Sequence, residues 1–135
     1  MAIVLDADVV TLGERGDFDL PGWLLSRPSD AFELAAITVA ELWHGVERAT
    51  PGHRPARQRY LEAIVLNLPV IPYTEQTAYH HARIWASLAA SGAMIGPYDL
   101  IVAATALERG SSVATFNHKH FAKVKGLKII RPRTG

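Results

Sequence analysis

One segment near the C-terminus constrains the fold more than any other part of the chain. It reads IGPYDLIVAATALERG and covers residues 95–110. Pro97 cannot continue a helix that began earlier, but proline suits the first turn of a new helix. The residues that follow are rich in Ala and Leu, and Arg109 and Gly110 supply a C-terminal stop. The segment therefore predicts a mostly apolar, buried helix.

Asp99 falls in the first turn of this predicted helix. A carboxylate at that position is stabilised by the positive end of the helix dipole. One interpretation is purely structural, because an acidic residue is favourable in the first turn of any helix. The other interpretation is that the helix holds a functional negative charge at the edge of the core. Position alone leaves both interpretations open.

The composition limits the class of protein. A chain of 135 residues can form one domain with a sizeable core but not two. Apolar residues make up 49% of the chain, yet no apolar run approaches the roughly 20 residues that span a bilayer. The N-terminus reaches Asp6 without a basic segment, so we expect no signal peptide. The absence of cysteine excludes disulfides and thiolate metal sites and favours a cytoplasmic protein.

Short apolar runs alternate with helical patterns along the chain. The predicted strands are 2–5, 33–37, 69–72, 112–115 and 124–130. The other predicted helices are 21–26, 39–49, 56–66 and 74–90, and 13–17 is predicted to be a loop. Trp23, Trp43 and Trp85 are expected in the core. This alternation predicts one α/β domain over residues 1–135, with its core at about 2–131 and a mainly parallel central sheet flanked by helices.

Three carboxylates follow predicted strands or begin predicted helices: Asp6, Glu41 and Asp99. Thr38 lies three residues before Glu41 and fits a capping box, which is the structural alternative for Glu41. In a parallel α/β sheet, strand C-termini and the N-termini of the following helices share one edge, so the three carboxylates can converge. A hard divalent cation relieves their repulsion. The pattern is therefore typical of a Mg²⁺ site in which Mn²⁺ can substitute.

The order of the motifs resembles that of PIN-domain ribonucleases. The matching segments are LDADVV (5–10), ITVAEL (37–42), IGPYDLIVAATA (95–106), VATFNHKHF (113–121) and VKGL (124–127). The resemblance is strongest to the toxins of VapBC-type toxin–antitoxin pairs. It implies an endoribonuclease that hydrolyses RNA phosphodiester bonds with Mg²⁺ or Mn²⁺. The implied metal ligands are Asp6, Glu41 and Asp99.

The chain departs from the family pattern at two positions. The first motif is commonly DTN or DTS in the family, whereas this chain has Asp6, Ala7 and Asp8. At the fourth acidic position, which completes the implied catalytic set, many members have Asp and this chain has Asn117. We hypothesise that Asp8 replaces the negative charge that Asn117 lacks. The resemblance also implies that Thr115 makes a hydrogen bond within the site.

The C-terminal part of the chain is basic. After Glu108, the charged residues are Arg109, Lys119, Lys123, Lys125, Lys128, Arg131 and Arg133. This end can follow the phosphates of RNA or can be an ordinary solvated surface. On the first interpretation, His118 and Lys119 are candidate RNA contacts beside Asn117. On the second, His118 and His120 lie on the surface of a short helix that packs Phe121 inward.

The resemblance also implies partners. A family toxin is inhibited by a VapB-like antitoxin and forms a homodimer or a toxin–antitoxin hetero-oligomer, away from membranes. Two other functions stay open. A degenerate PIN fold can serve as an RNA- or protein-binding module, and Asn117 is the support for that reading. A strand that ends in Asp6-Ala7-Asp8 also resembles the first motif of haloacid-dehalogenase-type phosphatases, but no acidic pair follows Glu108 as that family requires.

Overall fold

The computed structural model describes residues 1–133, so the last two residues of the predicted domain lie outside the described part. The strands are β1 (Ala2–Leu5), β2 (Ala31–Ala35), β3 (Val70–Ile71), β4 (Ser112–Ala114) and β5 (Ile129–Ile130). The helices are α1 (Ala7–Arg15), α2 (Leu20–Leu25), α3 (Ala36–Arg48), α4 (Arg54–Asn67), α5 (Glu75–Ser91), α6 (Pro97–Arg109) and α7 (His118–Phe121). The strands form one sheet in the order β3-β2-β1-β4-β5, and every pairing is parallel. The predicted α/β architecture is confirmed.

The central strand β1 separates two layers of core. Its side chains alternate between the two faces of the sheet, as in any strand. Val4 packs into a cluster with buried residues of α5, α6 and α7. Ile3 and Leu5 pack into a second cluster with buried residues of α1 and α2 and with partly buried residues of α3 and α4. All three β1 residues are 0% exposed, so the C-terminal end of this strand is held rigidly inside the protein.

The helix predicted from Pro97 is confirmed as α6. It begins at Pro97 and ends at Arg109, and Gly110 closes it with a left-handed backbone at φ +67°. Its buried residues are Leu100, Val102, Ala103, Ala104, Thr105 and Ala106. Asp99 lies in its first turn and is only partly buried, at the rim of the core.

The prediction for the segment after β1 was wrong, because helix α1 covers residues predicted in part as a loop. Asp6 caps this helix by accepting a hydrogen bond from the Ala7 amide, and Gly16 ends it at φ +80°. Val9 and Val10 are β-branched and weaken the helical signal in the sequence. A Cβ atom at Gly13 would lie 2.9 Å from the Leu20 Cβ atom, so glycine permits the close packing of α1 on α2.

The boundary between β2 and α3 also differs from the prediction. The strand ends at Ala35, and the helix begins at Ala36, which places Thr38 inside the helix instead of at its cap. Thr38 is 0% exposed, and its hydroxyl has no hydrogen-bond partner within residues 1–133. The capping-box interpretation of Thr38 and Glu41 is therefore wrong, and the structural alternative for Glu41 loses its basis.

Two smaller predictions failed as well. The last strand was predicted over 124–130 but contains only Ile129 and Ile130, because the backbone turns at Gly126 with φ +80°. Trp23 is buried as expected and Trp43 is partly buried, whereas Trp85 is 55% exposed on α5 and stacks on His81. Among residues 1–133, none of the helices has the length and apolar character needed to cross a membrane.

Candidate active site

The end of β1 and the end of β4 meet because the two strands are paired neighbours, with Leu5 opposite Ala114. Thr115 directly follows β4, and its Oγ1 atom donates a hydrogen bond of 2.8 Å to Asp6 Oδ2. The same hydroxyl lies 3.3 Å from Asp8 Oδ2, which also accepts a 3.0 Å bond from the Phe116 amide. The hydrogen bond predicted for Thr115 is therefore present. Both carboxylates of the first motif are held against the end of β4.

Asp6 has the most strongly raised pKa in this region. It is 6% exposed, and the pKa of its carboxyl group is raised to about 7, with burial as the largest cause. The neighbouring carboxylates of Asp8 and Asp99 contribute to this rise, while the hydrogen bonds from Thr115 and the Ala7 amide oppose it. A carboxylate that is hard to ionise in a cleft is typical of functional sites.

Glu41 and Asp99 belong to the same electrostatic cluster. Glu41 lies on α3 and Asp99 lies at the start of α6. Burial raises the pKa of Glu41, and the charges of Asp99 and then Asp8 raise it further. Burial also raises the pKa of Asp8, with a smaller contribution from Asp99. The three predicted carboxylates and Asp8 are therefore near enough to repel one another, although three different helices and the end of β1 position them.

Two oxygen atoms in the cluster fit a metal ion. Asp8 Oδ1 and Glu41 Oε1 are buried and have no hydrogen-bond partner within the described chain. Buried polar atoms are normally satisfied, so both oxygens need a cation or ordered water. Across residues 1–133, no three Asp, Glu or His side chains are gathered tightly enough to enclose an ion. The arrangement suits a hydrated divalent cation, which keeps several of its waters and needs only one or two carboxylates as direct ligands.

Asn117 connects the acidic cluster to α7. Its backbone N–H donates a 2.9 Å hydrogen bond to Thr115 Oγ1, and its side-chain Nδ2 atom lies 2.7 Å from His120 Nδ1. The same His120 nitrogen lies 3.3 Å from Asp99 Oδ2. The sequence interpretation considered His120 as a surface residue or as a contact for phosphate, and missed its contact with Asp99. Its spacing of three residues from Asn117 was the available signal, since such pairs share one face of a helix.

His118 and Lys119 lie on the same short helix as His120. Both are exposed, and their side chains make no hydrogen bond or ion pair with other residues of the described range. Their proximity to Asn117 in sequence places them at the outer rim of the site. The structure brings them near the site without joining them to the carboxylates.

A cavity of about 210 Å³ opens beside Glu41, between α1, α3 and α4. Arg15, Arg48 and Arg57 line it together with Glu14. Arg57 Nε lies 3.4 Å from Glu14 Oε1. Arg15 and Arg48 are the other two arginines that line the cavity. Sequence analysis missed this cavity because it did not predict α1, which forms one of the walls.

The sequence matches known proteins over almost its whole length. The profile of the PIN domain matches residues 3–127. A VapC ribonuclease of Sinorhizobium fredii is 34% identical over an alignment of 136 positions that covers 96% of each chain. The tRNA(fMet)-specific endonuclease VapC of Salmonella typhimurium is 34% identical over 96 residues, or 71% of each chain. These matches exclude the phosphatase interpretation of the first motif.

The fold agrees with the sequence matches. The chain superimposes on a chain of the DNA-bound VapBC structure from Salmonella typhimurium with a TM-score of 0.87. The two are 27% identical, and the match covers 96% of this chain and 97% of the other. Fold, motif order and sequence similarity thus agree. This protein belongs to the PIN-domain family, among its VapC ribonucleases.

Proposed function

We propose that this protein is a Mg²⁺- or Mn²⁺-dependent endoribonuclease that acts as the toxin of a VapBC-type pair and is inhibited by its antitoxin. The observation that carries the proposal is the electrostatic coupling of Asp6, Glu41 and Asp99. Burial raises the pKa of Asp6 and of Glu41, and the charge of Asp99 adds to both shifts. Carboxylates that share a cleft repel one another, and a bound divalent cation offsets this repulsion.

In this proposal Asp6, Glu41 and Asp99 hold the ion, directly or through its bound waters. A bound divalent cation supplies positive charge to the scissile phosphate and lowers the pKa of an attacking water. Thr115 fixes the direction of Asp6 through its 2.8 Å hydrogen bond. Asn117 completes the catalytic set through an uncharged amide, which it keeps near Asp99 by way of His120.

Asp8 supplies the negative charge that an acidic residue at position 117 supplies elsewhere in the family. Its charge is the leading contribution of a neighbouring residue to the raised pKa of Asp6, and its Oδ1 atom is buried without a partner in the described chain. The Asp8→Asn variant therefore binds Mg²⁺ more weakly than the wild type. Calorimetric titration measures this, and an unchanged affinity removes the role of Asp8.

RNA binds across the rim of the acidic cluster in this proposal. His118 and Lys119 contact the phosphates from α7, and Arg15 and Arg48 contact them from the cavity beside Glu41. Lysine and arginine contacts of this kind contribute affinity without reading the sequence. Transfer RNA is the first substrate to assay, because a VapC relative is a tRNA(fMet)-specific endonuclease.

The partner is a VapB-like antitoxin that covers the cleft, in keeping with the likeness to the chain of a VapBC complex. The toxin forms a homodimer or a hetero-oligomer with this antitoxin in the cytoplasm. Co-expression of the neighbouring short reading frame, followed by co-purification, tests the pairing. A toxin that remains fully active in the presence of that protein contradicts it.

The decisive test of the enzyme is RNA cleavage by the wild type and by Asp99→Asn. Each protein is assayed with Mg²⁺, with Mn²⁺ and with EDTA. We expect cleavage that requires a metal ion and disappears in the Asp99 variant. Asp17→Asn is the matched control, because it removes the same charge from an exposed residue. A wild type that binds RNA but does not cut it with either ion supports the binding-module alternative instead.

A further inference from the structure

His120 occupies a fixed place between two residues of the site. Phe121, the next residue, is 0% exposed and anchors α7 in the core. Asn117, at the N-cap of α7, is tied by its backbone to Thr115 Oγ1. The short helix therefore has little freedom to move, and the imidazole of His120 is held at 2.7 Å from the Asn117 amide group and 3.3 Å from Asp99 Oδ2.

The chemistry of these three groups selects one tautomer of the imidazole. An ionised Asp99 can only accept hydrogen bonds, so its contact with His120 Nδ1 is attractive only when that nitrogen carries a proton. The structure places the Asn117 NH₂ group 2.7 Å from this nitrogen, and turning the amide over presents its oxygen instead, which accepts a hydrogen bond from a protonated Nδ1. The opposite tautomer places the Nδ1 lone pair against the Asp99 oxygen, which is repulsive.

We propose that His120 is a positioning residue that orients the Asp99 carboxylate for the cation and couples it to Asn117. Carboxylates that ligate metals are themselves held by hydrogen bonds, and loss of such a partner costs about 10–100-fold in metal affinity. His120 supplies this support to Asp99, as Thr115 supplies it to Asp6. Its role rests on the proposed metal-dependent function, to which it adds a residue outside the acidic set.

The Asn117–His120 pair also explains how the site functions without an acid at position 117. A carboxylate there would add a fifth acidic group to a site that already contains Asp6, Asp8, Glu41 and Asp99. The amide and the imidazole instead form a neutral bridge that ends on Asp99. In this chain residue 117 therefore does not contribute a negative charge. It supports the charged Asp99 instead, and His120 is the residue that connects the two.

The test measures cation binding directly, without RNA. Calorimetric titrations with Mg²⁺ and with Mn²⁺ are run on the wild type, His120→Ala, His120→Gln and the control His53→Ala. We expect His120→Ala to weaken the binding of both ions by about 10–100-fold and leave the ratio of their affinities unchanged. His120→Gln regains part of the affinity because its NH₂ group can still donate to Asp99. His53→Ala, which alters an exposed histidine outside the site, stays within about twofold of the wild type.

A spectroscopic measurement separates orientation from simple folding effects. Long-range ¹H–¹⁵N NMR of the wild type distinguishes a proton on Nδ1 from one on Nε2, and we expect the His120 ring to carry it on Nδ1. A His120 ring with its proton on Nε2 alone overturns the proposal. So does a His120→Ala variant that binds both ions as tightly as His53→Ala. A loss confined to Mn²⁺ also overturns it, because that result identifies a direct nitrogen ligand.

The failure of this proposal is distinguishable from the failure of the proposed function. If the wild type binds neither Mg²⁺ nor Mn²⁺, the metal-dependent function fails and the role of His120 fails with it. If the wild type binds an ion and cuts RNA but His120→Ala binds the ion equally well, only the role of His120 is lost.

Discussion

The two ends of α6 hold buried carboxylates in opposite ways. Beyond its C-terminal end, Glu33 is 5% exposed and accepts hydrogen bonds from Arg109 Nε at 3.1 Å and from Ser111 Oγ at 3.2 Å. Near its N-terminal end, Asp6 is 6% exposed and receives no arginine or lysine partner among residues 1–133. Asp8 and Asp99 surround it with further negative charge.

The difference separates a structural carboxylate from the candidate functional one. Burial of a charge is costly in both places, and the fold compensates for it only at Glu33. At Asp6 no basic side chain of the described residues offsets the cost, so a cation that binds there can offset it. Burial alone therefore does not single out a candidate functional acid in this protein, whereas burial combined with like-charged neighbours singles out Asp6.

The largest effect is expected from Asp6→Asn. Loss of the Asp6 charge weakens the hold on the cation, and the cation contributes several kcal/mol of transition-state stabilisation. We expect RNA cleavage to fall by about 1000-fold or more, measured as initial rates with saturating Mg²⁺. An Asn variant with near wild-type activity contradicts the assignment of Asp6.

Arg109→Ala removes the guanidinium group that compensates the buried charge of Glu33. It leaves Glu33 buried without its guanidinium, and breaking a buried pair is strongly destabilising. Arg109 is 40% exposed, which reduces the cost, so we expect a loss of about 2–3 kcal/mol in the free energy of unfolding. Urea denaturation measures it, and Arg131→Ala on the exposed C-terminal segment is the control. RNA cleavage by the folded variant stays near the wild-type rate.

The uncompensated carboxyl group of Asp6 makes the stability of the metal-free protein depend on pH. The pKa of Asp6 is about 7 in the folded protein and 3.8 ordinarily, so the folded state binds a proton that the unfolded chain has released between these values. Stability is therefore lost as pH rises through this range. The raised pKa values of Asp8 and Glu41 act in the same direction.

We expect the free energy of unfolding in EDTA to fall by on the order of 2 kcal/mol from about pH 4 to about pH 7. Asp6→Asn flattens the profile, and Mg²⁺ restores stability at the higher pH. A wild-type profile that rises over this range contradicts the raised pKa of Asp6.

The smallest effect concerns the hydroxyl of Thr38. Its side chain is 0% exposed, and the hydroxyl has no partner in the described part of the chain. Thr38→Val removes this unsatisfied group with little change of shape, so we expect stability to rise by about 1 kcal/mol. Thr105→Val is the matched control, because it removes a 2.8 Å hydrogen bond to the Ile101 carbonyl and lowers stability. Equal shifts in the two variants contradict the explanation.

Sequence reasoning captured what depends on chain order. Asp6 after β1 and Asp99 at the start of α6 follow from local patterns that survive folding. It did not capture contacts made between distant segments. The Phe116 amide bonded to Asp8 and the imidazole of His120 beside Asp99 depend on how β4 and α7 approach the site. Helix α1 escaped prediction because valines weakened its local signal, although Asp6 and Gly16 marked its two ends.

The two outer strands carry a consequence for the isolated chain. β3 and β5 contain two residues each, and Pro69 and Pro72 flank the first while Pro132 follows the second. An exposed sheet edge is a template for another chain to add a strand, and short edges interrupted by proline resist this. The isolated chain is therefore expected to resist polymerisation through the edges of its sheet.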